Sequence, residues 1–235
     1  MSTALVRGTG LARRYGTGPS SFVALHDSDL AIPPNARIAL TGSSGSGKST
    51  VLHLIAGLDQ PTAGSITWPG LGRPAQHPGR VGIVFQAPSL IPALDVMENV
   101  ELVALIAGVA PTQARARATE ALSALSLLPL AGQLPEELSG GQAQRVAIAR
   151  VLAGQPQLIL ADEPTGQLDR ETAAHVLDVL EAAANASGAA LMVATHDPVV
   201  ADRYPHRWSI EDGRLCTDGS AAHPPSVSRP MRGTR

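Results

Sequence analysis

The apolar residues of the chain follow two periods, and the changes from one to the other mark out its elements. Short apolar runs over residues 3–7 and 22–32 predict two early strands, and "RIALTG" (37–42) predicts a buried strand ending on glycine. From Lys48 to Ala56 the spacing becomes helical, and Gly57 stands where a helix C-terminus is usually stopped. "GSIT" (64–67) and "VGIVF" (81–85) are further strand candidates. Residues 95–128 are dominated by helical periodicity, broken at "GVAPT".

A helix is predicted after Ser139. Val146, Ile148, Ala149, Leu152 and Ala153 make it apolar on several sides, as buried helices are. "QLILAD" (157–162) and "ALMVATH" (190–196) are continuous apolar runs, the pattern of central parallel strands. Between them Ala173, Val176, Leu177, Leu180 and Ala184 recur at helical spacing. "RWSIEDGRLC" predicts a hairpin turning at Asp212 and Gly213. No internal repeat is evident. Strands alternating with helices indicate an α/β fold with a helical insertion, and residues 1–216 are expected to form the folded unit. The stretch from Thr217 onward, rich in Pro, Ser, Arg and Gly, reads as a disordered tail over 217–235.

Composition narrows the function classes. A net charge of -2 and a pI near 6.4 provide no basic field for nucleic acid, so none is expected as a partner. The single cysteine, Cys216, rules out an intrachain disulfide. The longest apolar stretch, "LVALIAGVA" (102–110), is too short to cross a bilayer, and the N-terminal residues lack the apolar core of a signal peptide. Any transport role would therefore need a separate membrane-spanning partner. Apart from His196, the histidines show no metal-ligand spacing.

The strongest chemical signal is "GSSGSGKST". Gly42, Ser43, Ser44, Gly45, Ser46, Gly47, Lys48, Ser49 and Thr50 match the phosphate-loop pattern between a strand and a helix. Glycines let the backbone fold into a nest of N–H groups, and the helix N-terminus adds positive potential for phosphate oxygens. Lys48 is expected to reach the β and γ phosphates, and Ser49 to ligate Mg²⁺. "LILADE" supplies the acidic half. Asp162, ending a buried strand, is placed to hold Mg²⁺ through water, and Glu163 to accept a proton from an attacking water or to orient it. "LSGGQ" permits a plain reading as well: Ser139 and Gln142 have the spacing of a helix capping box.

Taken together, "LSGGQAQRVAIAR", whose Ser139 lies 23 residues before Asp162, then "DEPTGQLD" and "ATHD", closely resemble the ATP-binding subunits of ABC transporters over residues 3–215. The resemblance implies a P-loop ATPase core with a parallel central sheet, a small antiparallel β subdomain, and a helical subdomain at about 87–156. It implies ATP and Mg²⁺ as ligands, ATP hydrolysis, a second ATPase subunit, and an integral permease on whose cytoplasmic face the chain would sit. It also gives roles to residues that spacing alone leaves open. Tyr15 resembles the aromatic that stacks on adenine, Gln86 the glutamine that contacts Mg²⁺ and the attacking water, and His196 the switch histidine at the γ-phosphate. Ser139, Gly140, Gly141 and Gln142 would bind the nucleotide held by the opposing subunit. Asp169 resembles the subunit-contact aspartate, although it has equally the position of a helix N-cap.

The likeness is greatest to the subgroup serving lipoprotein release, macrolide or antimicrobial-peptide export, and cell-division complexes. Three departures stand out: a short segment "PGLGRPAQHPGR", no glycine in the turn "PPNARIAL", and Asp95 where threonine is common. A non-transport ABC ATPase, such as a cell-division scaffold, is the main rival reading. A phosphate-loop kinase would leave the serine-glycine stretch and the switch histidine unexplained.

Overall fold

The computed structural model describes residues 3–217. Its centre is a six-stranded sheet in the order β5-β6-β7-β3-β8-β9. The strands are β3 (Arg37–Thr41), β5 (Val81–Val84), β6 (Leu158–Asp162), β7 (Ala190–Thr195), β8 (His206–Glu211) and β9 (Arg214–Cys216). All pairings are parallel except that of β9 with β8. β8 and β9 are the expected hairpin, turning through Asp212 and Gly213. A second sheet, antiparallel, has the order β2-β1-β4 and comprises β1 (Val6–Tyr15), β2 (Phe22–Ile32) and β4 (Ala63–Thr67).

Side-chain alternation along the central strands divides the interior into two cores. Leu158 and Leu160 of β6, Ile38 and Leu40 of β3 and Met192 of β7 face one side. There they join Val51, Leu52, Leu54 and Ile55 of α1 (Lys48–Ile55) and the apolar face of the small sheet. Ile159, Ala161, Ala39, Leu191 and Val193 face the other side, against α2 (Val96–Ile106), α3 (Pro111–Ala124), α4 (Gly140–Ala153) and α5 (Arg170–Ser187). Strands buried on both faces have no polar row to expose, which is why β6 and β7 read as unbroken apolar runs.

Helix ends follow their local chemistry. Gly57 ends α1 at φ +70°, and Gly188 caps α5 at φ +68°. Asp95, unusual in the sequence reading, forms a capping box with Glu98 at the start of α2, which accounts for a carboxylate there. A last short helix, α6 (Pro198–Ala201), follows β7. No helix among the described residues is long and apolar enough to cross a membrane. The tail expected beyond Thr217 lies outside the described residues.

Two boundaries differ from the sequence expectation. The first strand runs to Tyr15 instead of ending near residue 7, and β5 stops at Val84, which leaves Phe85 and Gln86 in a loop. Both extensions or truncations matter, because they position site residues.

Candidate functional site

Parallel strands deliver their C-terminal ends to one edge of the sheet, and the predicted chemistry collects there. β3 runs into the loop 42–47 and then α1; β6 ends on Asp162; β7 ends just before His196. A cavity of about 350 Å³ opens at this edge, lined by Tyr15, Phe22, Ala24, Ser44, Gly45, Gly47, Lys48, Ser49, Thr50, Gln86, Asp162, Glu163, Gly166, Gln167 and His196.

The loop is shaped by its glycines. Gly45 and Gly47 lie at φ +80° and +112°, the left-handed region that side chains disfavour. A Cβ on Gly42 would come within 2.5 Å of the Ile210 carbonyl oxygen, and one on Gly47 would collide with that of Ala24. Lys48 Nζ donates to the carbonyls of Gly42 (2.8 Å) and Ser43 (3.1 Å), so the ammonium is held inside the curl of the loop. No side chain caps α1, leaving its first amides for a ligand. An anion fits this place: positive dipole end, ammonium and backbone nest converge on it.

Glu163 sits between two partners. Its side chain, 12% exposed, is 3.4 Å from Lys48 Nζ, and both carboxylate oxygens lie 3.0 Å from His196 Nδ1. Glu163 itself has φ +47°, a left-handed conformation in a non-glycine residue, and its N–H donates to the Ala194 carbonyl. Such strain persists only where the surroundings over-determine it, and it recurs at functional sites. Asp162 beside it is buried, while the His196 side chain is 71% exposed at the cavity mouth. Ser49, Asp162 and Gln86 all line this cavity and carry oxygen ligands, a set suited to a hard cation that keeps several waters and shares phosphate oxygens.

The Gln86 loop is pinned to α4 at both ends. Gln144 Nε2 donates to the Phe85 carbonyl (3.2 Å), and Arg150 donates to the Ser89 carbonyl (2.8 Å) and hydroxyl (3.1 Å). Burial without a carboxylate partner lowers the Arg150 pKa from its ordinary value.

Tyr15, which also lines the cavity, closes β1. Its hydroxyl donates to Asp59 Oδ2 (2.7 Å), Arg13 Nε donates to the same oxygen (2.8 Å), and the Arg13 guanidinium lies 4.4 Å over the Tyr15 ring. Burial pushes the Asp59 carboxyl up, but hydrogen bonds from Tyr15, the Gln60 N–H and Arg13 outweigh it and hold the carboxyl below its ordinary value. Hydrogen bonding to Asp59 in turn raises Arg13.

Ser139, Gly140, Gly141 and Gln142 do not join this cavity. Ser139 caps α4 and Gln142 closes the capping box, with bonds of 3.3 and 2.7 Å, so the plain reading of "LSGGQ" holds geometrically. Asp169 likewise caps α5 through the Thr172 N–H and hydroxyl, bonds that lower its pKa. Gly42 and Ser43 line a neighbouring depression that shares His196, and Ser46 is buried, lining a second depression with Ser43, Ser44 and Gly45. Phe22, Asp59, Arg13 and Gln167 were not singled out by the sequence reading.

Comparison with known proteins supplies the frame. The profile of the family described as ABC transporter matches residues 25–166. The chain belongs to the ABC transporter ATPase family. Among ABC relatives, the lipoprotein-releasing system ATP-binding protein LolD of Chromohalobacter salexigens is 40% identical over 217 residues, covering 89% of this chain and 92% of that one. The macrolide export ATP-binding/permease protein MacB of Rhodopseudomonas palustris is also 40% identical over 217 residues, 89% of this chain but only 33% of that larger protein. A dimeric ATP-binding cassette in a post-hydrolysis state with ADP and Pi has a TM-score of 0.82 and 34% identity, covering 90% of this chain and 98% of its own. The cbiO1 subunit of Clostridium perfringens, part of the transporter complex cbiONQ, has a TM-score of 0.75 and 27% identity, covering 91% of this chain and 87% of its own. The expected α/β ATPase cassette fold is thereby established, and with it ATP as the nucleotide.

Proposed function

We propose that the chain is the ATP-hydrolysing subunit of a transporter whose permease is a separate membrane protein, of the kind serving lipoprotein release or macrolide export. It would lie peripherally at the cytoplasmic membrane face, held by that permease. One observation carries the reading: Glu163 sits at hydrogen-bonding reach of His196 and within 3.4 Å of Lys48, at the open side of a phosphate-shaped loop. A single cavity thus holds a base, its orienting partner and a phosphate-binding cation.

In this reading Lys48 and the loop amides from Ser43 to Thr50 hold the β and γ phosphates. Glu163 accepts the proton of a water whose oxygen attacks the γ-phosphorus; the bond to the β–γ bridging oxygen breaks, giving ADP and phosphate. His196 Nδ1–H orients the carboxylate and lies beside the departing phosphate. Mg²⁺ held by Ser49 and Asp162, with Gln86 adjacent, would neutralise charge on the β and γ oxygens. Tyr15 supports the adenine ring.

Ser139, Gly140, Gly141 and Gln142 act on a second copy. None of the four lines this chain's own cavity, and the dimeric relatives support that reading. α4 also grips the Gln86 loop through Gln144 and Arg150. One rigid helix thereby connects the partner's nucleotide, the local Gln86 and the helical segment 87–156, which we assign as the permease-facing subdomain.

Glu163→Gln tests the scheme. Phosphate release should stop and ATP should trap a dimer, read by size-exclusion chromatography with light scattering; a monomeric variant that still hydrolyses ATP would refute it.

A further inference from the structure

Phe22 is an exposed aromatic that neither core uses. It opens β2, directly opposite Tyr15 in the β1–β2 register, and 61% of it is exposed. It nevertheless lines the same cavity as Tyr15, Lys48 and Glu163. The whole chain has only two phenylalanines, two tyrosines and two tryptophans, so finding two of these six side by side on one cavity needs a reason. The two rings lie 5.5 Å apart between centroids and are tilted by 33°, forming a shallow apolar corner.

The state of Tyr15 says what the corner lacks and what it offers. Its hydroxyl is already committed to Asp59, and one face of its ring is already covered by the Arg13 guanidinium. The ring still lines the open cavity, where a ligand can meet it. A purine, two fused rings wide, extends past a single phenol ring, and Phe22 supplies apolar surface beside it.

We propose that Phe22 is a second base-contacting residue, so that the nucleotide base rests on Tyr15 and Phe22 together. The inference rests on the assignment of this cavity as the ATP site. Stacking on an aromatic side chain contributes enough that its loss weakens binding roughly 5- to 100-fold. Phe22 also lines a depression with Ser43, Ser44, Gly45 and Ser46 of the phosphate loop, so a ligand that carries only the phosphate chain is needed to tell a contact with the base from a change in the loop.

Two ligands separate base from phosphate contacts: MgATP, and magnesium tripolyphosphate, which has the phosphate chain and no base. Calorimetric titration of the full chain should show Phe22→Ala weakening ATP roughly 5- to 100-fold while tripolyphosphate affinity stays within about twofold. Phe22→Tyr should restore ATP affinity. ATP affinity unchanged in Phe22→Ala, equal weakening of both ligands, or a defect confined to ATP-dependent dimerisation would each overturn the proposal. Failure of the wild-type chain to bind ATP would overturn the site assignment itself, a result distinct from the other three.

Discussion

Replacing Glu163 by glutamine removes one negative charge from the Lys48 cluster while keeping the shape of the side chain and an oxygen to accept from His196. In the ligand-free chain the Lys48 ammonium and Glu163 carboxylate are 3.4 Å apart, with side chains 7% and 12% exposed. Their attraction at that distance is about 1 kcal/mol in bulk water and about 5 kcal/mol at an effective dielectric constant of 20. A phosphate chain must share Lys48 with this carboxylate or take it away, and the carboxylate also repels the incoming γ-phosphate. Even the water-like limit corresponds to nearly tenfold in a binding constant. Glu163→Gln should therefore bind ATP at least about tenfold more tightly, measured by calorimetry on the isolated chain. The titration is repeated at two protein concentrations, since a gain that came from dimer formation would change with concentration. Equal or weaker affinity in the variant would refute the idea that Glu163 competes for Lys48.

Two further expectations follow from neighbouring groups. The Asp59 carboxyl lies below its ordinary value of 3.8 in the folded chain, so its contribution is fully present above that value and is lost as pH falls through the lower, folded one. Asp59→Asn should cost about 1 kcal/mol at neutral pH and flatten the fall in stability over this acid window, checked by urea unfolding at several pH values; parallel curves would contradict it. Arg150→Ala releases the Gln86 loop from α4 at Ser89, and should lower ATP turnover several-fold with ATP affinity within about twofold; an affinity loss as large as the loss of turnover would show that Arg150 holds the nucleotide site together instead.

What could be read from the sequence depended on whether a residue's surroundings impose a period. β6 and β7 are covered on both faces, so they appear as apolar runs, and Asp162 and His196 follow from where those runs end. β1 gave no such sign beyond its first residues. Its pairing with β2 shifts register between Gly8 and Leu11, between Leu11 and Arg13, and again before Arg14, and each shift breaks the alternation on which a strand reading relies. Tyr15 was consequently reached through family likeness, with no strand beneath it. Phe22 carried a usable signal, an aromatic opening a strand in a chain poor in aromatics. Asp59 carried none, because its partners lie 44 and 46 residues away in sequence.

The two sets of glycines at the site separate what the chain needs for itself from what it needs for another molecule. Gly42 and Gly47 are required internally, since a Cβ at either would strike backbone oxygen. Gly140 and Gly141 are not. Neither has a positive φ, and the nearest atoms to an added Cβ are Gln167 Oε1 at 3.4 Å and Leu168 Cδ2 at 3.2 Å, both on side chains that can yield. Both glycines also stand in the first turn of α4, where alanine would favour the helix. Nothing among the described residues explains two glycines there, whereas an anion brought against the first amides of a capped helix would: those amides have no intrahelical acceptor, and a residue without a side chain lets phosphate oxygens approach them closely. This chain's own phosphate loop lines a different cavity, which supports the proposal that these glycines meet a nucleotide held by a second subunit.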